Sequence, residues 1–235
     1  FISNKEITIE VVNSNGVVMP FTTHRETDTQ NRYKYTLVPG ETYYYVATKE
    51  TYYHIADDFK LEDVANSTIT VDFTDMGDWL TELAFGRGKS SKQKGNLPMN
   101  ADFAPAKHDY TVSFEDTEHL AYIWVETDEK NVAVEAMYTQ LFQSDLYHGK
   151  ELCLELTSEL SNGEQLKRFL MDENPIENTL TVRLTKEENG VTYYQDYVID
   201  FQRTLSMKDM TAKCDGATVI LTQNSGTTGF VSDVN

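Results

Sequence analysis

The side chains that carry chemistry most often are scattered in this chain. The five histidines, His24, His54, His108, His119 and His148, stand alone in sequence. No HExxH or His-x-His pair brings two imidazoles onto one face, so a sequence-local zinc site is absent, while a site assembled over long range stays open. There is no G-x-S-x-G elbow and no local Cys–His signature. Neither GxxxxGK[ST] nor GxGxxG occurs, and an all-β chain offers no helix N-terminus to receive phosphate. Acidic neighbours supply the oxygen ligands that calcium prefers: Asp57-Asp58, Asp72 with Asp75 and Asp78, Glu115-Asp116 with Glu118, and Asp128-Glu129. None has the D-x-[DN]-x-[DN]-G spacing with its distal Glu. With 38 acids in 235 residues, adjacent pairs follow from composition, and they read as solvated edges. A glycosidase pair of carboxylates needs a separation of about 5–9.5 Å across a cleft, and the chain carries no obvious cleft-building insertion. The residues therefore point to no metal, no cofactor and no enzyme; a hydrolase is the least favoured of three readings.

The tyrosines are the stronger signal. Tyr43, Tyr44 and Tyr45, with Tyr52 and Tyr53 nearby, place aromatic rings on both faces of adjoining extended segments. Exposed tyrosines stack on sugar rings or anchor a protein partner. Tyr44 and Tyr53 are accordingly the candidate ligand-binding residues, forming an aromatic platform for a surface glycan or a protein. The competing reading puts Tyr43 and Tyr45 in a core and leaves Tyr44 to cross-strand pairing on the outer face. Trp79 is expected to pack at a domain junction and Trp124 in a second core.

Composition narrows the partners. The net charge is −18, from 38 acids against 20 bases. A nucleic-acid backbone needs neutralising Lys and Arg, so nucleic acid is excluded as a partner, and anionic lipid is disfavoured for the same reason. No run of about 18 apolar residues occurs, so no membrane span is expected. Against this acidity, residues 86–96 hold Arg87, Lys89, Lys92 and Lys94 with no acid. That loop is either solvated and mobile or a contact for an acidic partner or neighbouring domain. Cys153 lies in Glu-Leu-Cys-Leu-Glu-Leu, a strand interior, and Cys214 lies beside Asp215-Gly216, next to a turn. Spacing alone does not decide whether the two pair.

Period-2 alternation of β-branched and aromatic residues dominates the chain. Ile7, Ile9 and Val11 lead to the turn Asn13-Ser14-Asn15-Gly16, and Tyr33, Tyr35 and Leu37 lead to Val38-Pro39-Gly40-Glu41. Thr68-Ile69-Thr70-Val71-Asp72-Phe73 closes a first unit. A second unit runs from Trp79 through strand-length segments at 110–114, 121–125, 133–136, 152–156, 180–184 and 194–201. Asn189-Gly190 between apolar runs is a hairpin signal. Residues 137–146 are read as a possible short helix, and 163–171 as a strand paired with 179–184. The fold expected is all-β: tandem Ig-like β-sandwich domains over 1–78 and 79–203, with 204–235 opening a further copy or a C-terminal extension. The N-terminus Phe-Ile-Ser-Asn-Lys-Glu has no basic or apolar leader, and the chain is expected to be a fragment of a longer multidomain surface protein.

Residues 80–203 resemble the bacterial cadherin-like β-sandwich domain, a module strung in tandem through Gram-positive cell-surface proteins. The matching residues are Leu80-Thr81-Glu82-Leu83, Phe103-Ala104-Pro105, Asp109-Tyr110-Thr111-Val112 and a closing strand ending Phe201-Gln202-Arg203. Thr204-Leu205-Ser206-Met207 echoes the opening strand, a weak repeat of roughly 120 residues. The first unit is similar to prealbumin-like or carboxypeptidase-regulatory-like sandwiches in its Pro-Gly-Glu-Thr-Tyr turn. The resemblance implies a non-catalytic structural or adhesive module, extracellular or on the bacterial cell wall, that spaces or presents a binding unit. The alternative is a carbohydrate-binding module attached to a polysaccharide-degrading enzyme. The sequon Asn66-Ser67-Thr68 matters only in a eukaryotic secretory route.

Overall fold

The computed structural model describes residues 1–27, 30–61, 67–74, 76–115, 121–144, 150–159, 164–166, 175–204, 210–214, 217–223 and 230–232. His119, His148, Asp75, Asp116, Glu118, Asn66 and the Ser161-Asn162-Gly163 turn lie outside the described residues. The N-terminal part contributes β1 (Ile2–Ser3), β2 (Thr8–Asn13), β3 (Phe21–Thr27), β4 (Gln30–Tyr35), β5 (Thr42–Lys49), β6 (Tyr53–Lys60) and β7 (Thr70–Val71). Next come β8 (Leu80–Gly86), β9 (Asp109–Glu115), β10 (Ala121–Thr127), β11 (Val132–Ser144), β12 (Lys150–Glu159), β13 (Glu164–Leu166), β14 (Pro175–Glu188) and β15 (Val191–Thr204). The last three strands are β16 (Met210–Cys214), β17 (Ala217–Gln223) and β18 (Phe230–Ser232).

The all-β expectation holds, and one sheet runs through both halves. Eight strands make it: β12-β11-β14-β15-β6-β5-β2 in order, with β9 also on β15. The four-stranded sheet β3-β4-β1-β7 and the three-stranded sheet β13-β10-β8 complete the first two parts, and β16-β17-β18 form an antiparallel meander. Two cores follow from inward alternation. Ile9 and Val11 of β2, Tyr43, Tyr45 and Ala47 of β5, and Ile55 of β6 meet Tyr33 and Val71 in the first. Val112 and Phe114 of β9, Ile123 and Val125 of β10, Leu180, Val182 and Leu184 of β14, and Tyr197, Ile199 and Phe201 of β15 build the second. Met76 and Tyr193 pack against both cores, so the apolar interior does not break at residue 78.

Local features explain how the sequence reaches this geometry. Leu80 and Leu83 are three apart, which strict alternation would send to opposite faces, yet both are buried. The register slips between Glu126 and Thr127, so Leu83 faces Val125 while Leu80 faces Thr127, leaving Thr81 as the extra residue. That bulge turns both leucines inward. The Asn189-Gly190 hairpin forms as expected, both residues at positive φ (54° and 87°), the two-residue turn that matches strand twist. It joins the two longest strands, 14 residues each.

Three expectations are corrected. Residues 137–146 are not helical through the described span: β11 runs to Ser144 and is paired on both edges, with β12 and β14. Pairing on two sides overrides the helix preference of its Ala, Met and Leu. Residues 164–166 do not pair with 179–184, because β11 and β15 occupy both edges of β14; β13 pairs with β10 instead. Pro175 opens β14 at a register shift opposite Phe142, where a missing N–H is tolerated. Trp124 is buried but lies outside the second core: Ile123 and Val125 face that core, and Trp124 faces the other way, over Gly86. Trp79 packs into the second core at the junction.

The basic loop folds back over this outer face. Ser90 caps a 3₁₀ turn over Ser91–Gln93, and Asn96 Oδ1 accepts from the Arg87 N–H at 2.7 Å. Glu82 and Glu126 are direct cross-strand partners, a like-charge pair that costs stability. Lys94 sits between them, bonded to Glu82 and 3.9 Å from Glu126. The loop thus answers acids of its own sheet. A Cβ on Gly86 would lie 2.3 Å from the Gln93 carbonyl oxygen and 2.8 Å from the Trp124 ring. Gly86→Ala is therefore expected to cost about 1–3 kcal/mol by overpacking, measured by urea unfolding, with a shift in Trp fluorescence.

Candidate functional site at the seam of the long sheet

β15 pairs with β14 along one edge from Val191 to Asp200, and its other edge is shared by two strands. Along that second edge, Thr192 to Gln195 pair antiparallel with Ala56 to Tyr53 of β6. Val198 to Thr204 then pair parallel with Asp109 to Glu115 of β9. Between the two partners the edge is completed by carbonyls at the start of each: Asp196 N–H donates to Tyr52 O (2.9 Å) and Val198 N–H to His108 O (2.7 Å). Buried backbone donors must be paired, so residues 52–53 and 108–109 are drawn to the same place from opposite halves.

On the inner side, this convergence creates a polar cluster inside an aromatic shell. His108, nearly fully buried, is stacked between Tyr52 (5.1 Å) and Tyr197 (4.4 Å), with Tyr53 edge-on at 4.8 Å. Its Nδ1 bonds the Asp196 carbonyl at 2.8 Å and its Nε2 the Tyr53 hydroxyl at 2.9 Å. Tyr53 also donates to Asp78 Oδ1 at 2.7 Å, and Tyr52 donates to Asp109. Burial, then the bond and charge of Asp78, push the Tyr53 hydroxyl well above its ordinary range, so it keeps its proton. Gln195, fully buried, accepts from Trp79 N–H at 3.1 Å and donates to Gly77 O. One side chain on β15 therefore fixes the connection between the halves.

The outer side carries a charged cluster. Arg183 of β14 grips Asp196 with two bonds of 2.7 Å, from Nε and Nη2. Bidentate guanidinium–carboxylate geometry makes this the strong form of an ion pair. Tyr194 stacks with His54 (4.5 Å) and lies under the Arg183 guanidinium (4.4 Å). His54 bonds Thr48 Oγ1 through Nδ1 at 3.0 Å, and its Nε2 stands 3.4 Å from Asp196 Oδ2, long for a hydrogen bond. Burial is the largest influence on the Asp196 carboxyl and raises it. The bonds and charges of Arg183 and His54 together outweigh burial and hold the carboxyl below its usual range.

The two candidate tyrosines do not come together. Tyr44 faces Asp58 across the strands and Tyr53 faces Lys49; five residues separate Asp58 from Tyr53 along β6, which puts the two rings on opposite faces. Tyr44 is 42% exposed on the open face, opposite Val12, whereas Tyr53 is 8% exposed and its hydroxyl is committed within the seam. Tyr43 and Tyr45 fill the core, and burial, with the charge of Asp57, raises the Tyr45 hydroxyl to about 12. Of the seam residues, His108 entered the sequence reading only as an isolated histidine and Asp78 only as an acidic neighbour, and Gln195, Asp196 and Arg183 were not singled out. Gln195 carried a signal: it occupies the inward phase of Tyr193, Tyr197, Ile199 and Phe201, where a polar side chain must find buried partners.

No family model matches the chain, and no curated protein matches it. Among the described residues, no group of three His, Cys, Asp or Glu is placed to hold a metal ion, and no helix is long and apolar enough to cross a membrane. The cluster as built holds the strands of the two halves in register.

Because Asp196 is held below its unfolded value of about 3.9, its contribution is complete above that pH and disappears as pH falls through the folded value. Asp196→Asn leaves Arg183 without its counter-charge and is expected to cost about 3 kcal/mol at pH 7. Urea unfolding at pH 7 and at pH 2–3 should show the gap between wild type and variant closing in acid.

Proposed function

We propose that the chain is a non-catalytic structural module of a bacterial cell-surface or secreted protein, which spaces or presents a binding unit. The observation that supports this reading is the shared strand: β15 hydrogen-bonds to β6 of the first half and β9 of the second along one edge. Modules joined only by a flexible tether bend at each junction. A junction with paired backbone and a common apolar interior resists bending and carries load between its ends. The acidic surface, with a net charge of −18, keeps neighbouring copies apart. The resemblance of residues 80–203 to bacterial cadherin-like domains supports a location outside the cell, where such a module would be one part of a longer protein.

Pulling the full chain from its ends in a single-molecule force experiment tests the reading. The β6–β15 and β9–β15 pairings should rupture as one cooperative event. Two separate events at different forces, one for each half, would remove the basis for a rigid spacer.

The carbohydrate-binding reading retains one specific support, the exposed Tyr44 ring on the open face of the long sheet. Val12 lies directly across from it and Val18 bridges the far side of Val12, giving a row of apolar contact. On the spacer reading, a glycan array probed with folded protein stays silent. Reproducible binding that Tyr44→Ala abolishes would instead favour the carbohydrate-binding module.

A further inference from the structure

The hairpin of β3 and β4 concentrates positive charge in a chain whose net charge is −18. Asn31 and Tyr33 of β4 turn inward and are buried, which sends Arg32 and Lys34 to the outer face, where both are exposed. On β3, His24 stacks on the Tyr33 ring at 4.6 Å, so its neighbours Thr23 and Arg25 turn outward. The pairing then sets Arg25 directly opposite Arg32 and Thr23 opposite Lys34. Glu26 falls in the inward phase, opposite Asn31. Among the described residues, no carboxylate forms an ion pair with Arg25, Arg32 or Lys34. Arg32 Nη2 meets Gln30 Oε1 at 3.4 Å, a neutral partner. Like charges directly opposed across two strands cost stability. Glu82 and Glu126 relieve theirs by holding Lys94 between them, whereas no described acid does the same for Arg25 and Arg32.

The same hairpin has an open edge. β3 ends its sheet, all seven of its residues are exposed, and its far side pairs with no strand among the described residues. Such an edge presents backbone N–H and C=O groups at the spacing of a further strand. Charge on an edge strand repels chance pairing, and Arg25 alone serves that purpose. Arg32 does not: it pairs with Arg25 on one side and Ile2 of β1 on the other, so it guards no edge. An anionic group lying over both arginines accounts for its place.

We propose that the open edge of β3 is a docking site for an extended acidic segment of another protein, which adds as a further strand and sets carboxylates two residues apart against Arg25 with Arg32 and against Lys34. A docked strand lies about 4.8 Å from β3, and its side chains on the outer face recur about every 7 Å. One of them falls beside Arg25, within reach of Arg32 behind it. The next falls beside Thr23, whose short side chain lets Lys34 extend across it. Acids at alternate positions therefore meet both cationic points, while acids at adjacent positions put one on the wrong face. Backbone pairing supplies affinity, and the charges choose the partner. A second copy is the wrong occupant, because two β3 edges paired about a two-fold axis would gather both sets of cations on one face.

Fluorescence anisotropy with the full chain and labelled peptides tests the site. The probe is a peptide of about ten residues, valine and threonine with glutamates at two alternate positions. One control carries the glutamates at adjacent positions, and another carries glutamines. The alternate-glutamate peptide should bind about fivefold tighter than the first control and about tenfold tighter than the second. Arg25→Glu, Arg32→Glu and Lys34→Glu together should abolish its binding, with cooperative urea unfolding retained as the check on folding. Arg32→Thr should weaken binding about two- to fivefold yet leave stability to urea unchanged or higher, which a structural role for the arginine would not allow. In the wild type, amides of β3 should gain protection from hydrogen exchange when the peptide is bound. Equal binding of the alternate and adjacent peptides overturns the proposal, as does binding of inorganic polyphosphate with no binding of the glutamate peptide. Silence from every peptide with folded wild-type protein overturns it as well.

Discussion

The second edge of β15 is the constraint on which the rest of this structure depends. A strand buried in the middle of a sheet cannot leave backbone N–H and C=O groups bare, and this one has more length than either neighbour covers. β6 arrives antiparallel from the first half, β9 arrives parallel from the second, and the gap between them is bridged by the carbonyls of Tyr52 and His108. Once both strands are anchored there, Tyr53 and His108 must meet, Gln195 must find Gly77 and Trp79, and the connection between the halves has little freedom left. The polar cluster is thus a result of backbone satisfaction, and its side chains are those able to fill a crowded interior without leaving a donor or acceptor unpaired.

The two faces of the long sheet solve different problems at this point. Inside, aromatic rings wrap an imidazole and exclude water. Outside, an arginine, a carboxylate, a histidine and a tyrosine form a compact layer over β14, β15 and β6, burying Asp196 even though it points away from either core. Desolvating a carboxylate costs free energy unless hydrogen bonds replace the water, and two short bonds from one planar guanidinium do so with little loss of side-chain freedom. Farther out on the same face, Tyr44 remains open to solvent.

Alternation along the chain was enough to read the all-β class, the Asn189-Gly190 hairpin, and the inward Tyr43 and Tyr45 with outward Tyr44. These are short-range properties: a period of two and a turn that demands positive φ at adjacent residues. What was not legible depends on who pairs with whom. Residues 137–144 hold good helix formers and become strand because both edges are taken; residues 164–166 pair with β10 because β14 has no vacant edge. Leu80 and Leu83 carried a helix-like spacing that only the bulge opposite Glu126 and Thr127 reconciles with a strand. Tyr53 illustrates the limit best. Its type suggested a surface platform, but Lys49 pairs with Tyr53 across the turn, so the inward phase of Tyr43 and Tyr45 carries through into β6 and takes Tyr53 with it.

That same turn holds Glu50 and Thr51 in the left-handed region, φ 55° and 63°, where a β-branched residue is strained. A strand common to both halves also changes what counts as a single inheritable piece. Cut away at residue 79, the second half would keep β15 but lose β6, baring the hydrogen-bonding groups of residues 192–195 as a sticky margin on which strangers can crystallise into sheets. Any exchange or removal of one half would then have to carry the other with it, so the unit that can be moved is the pair.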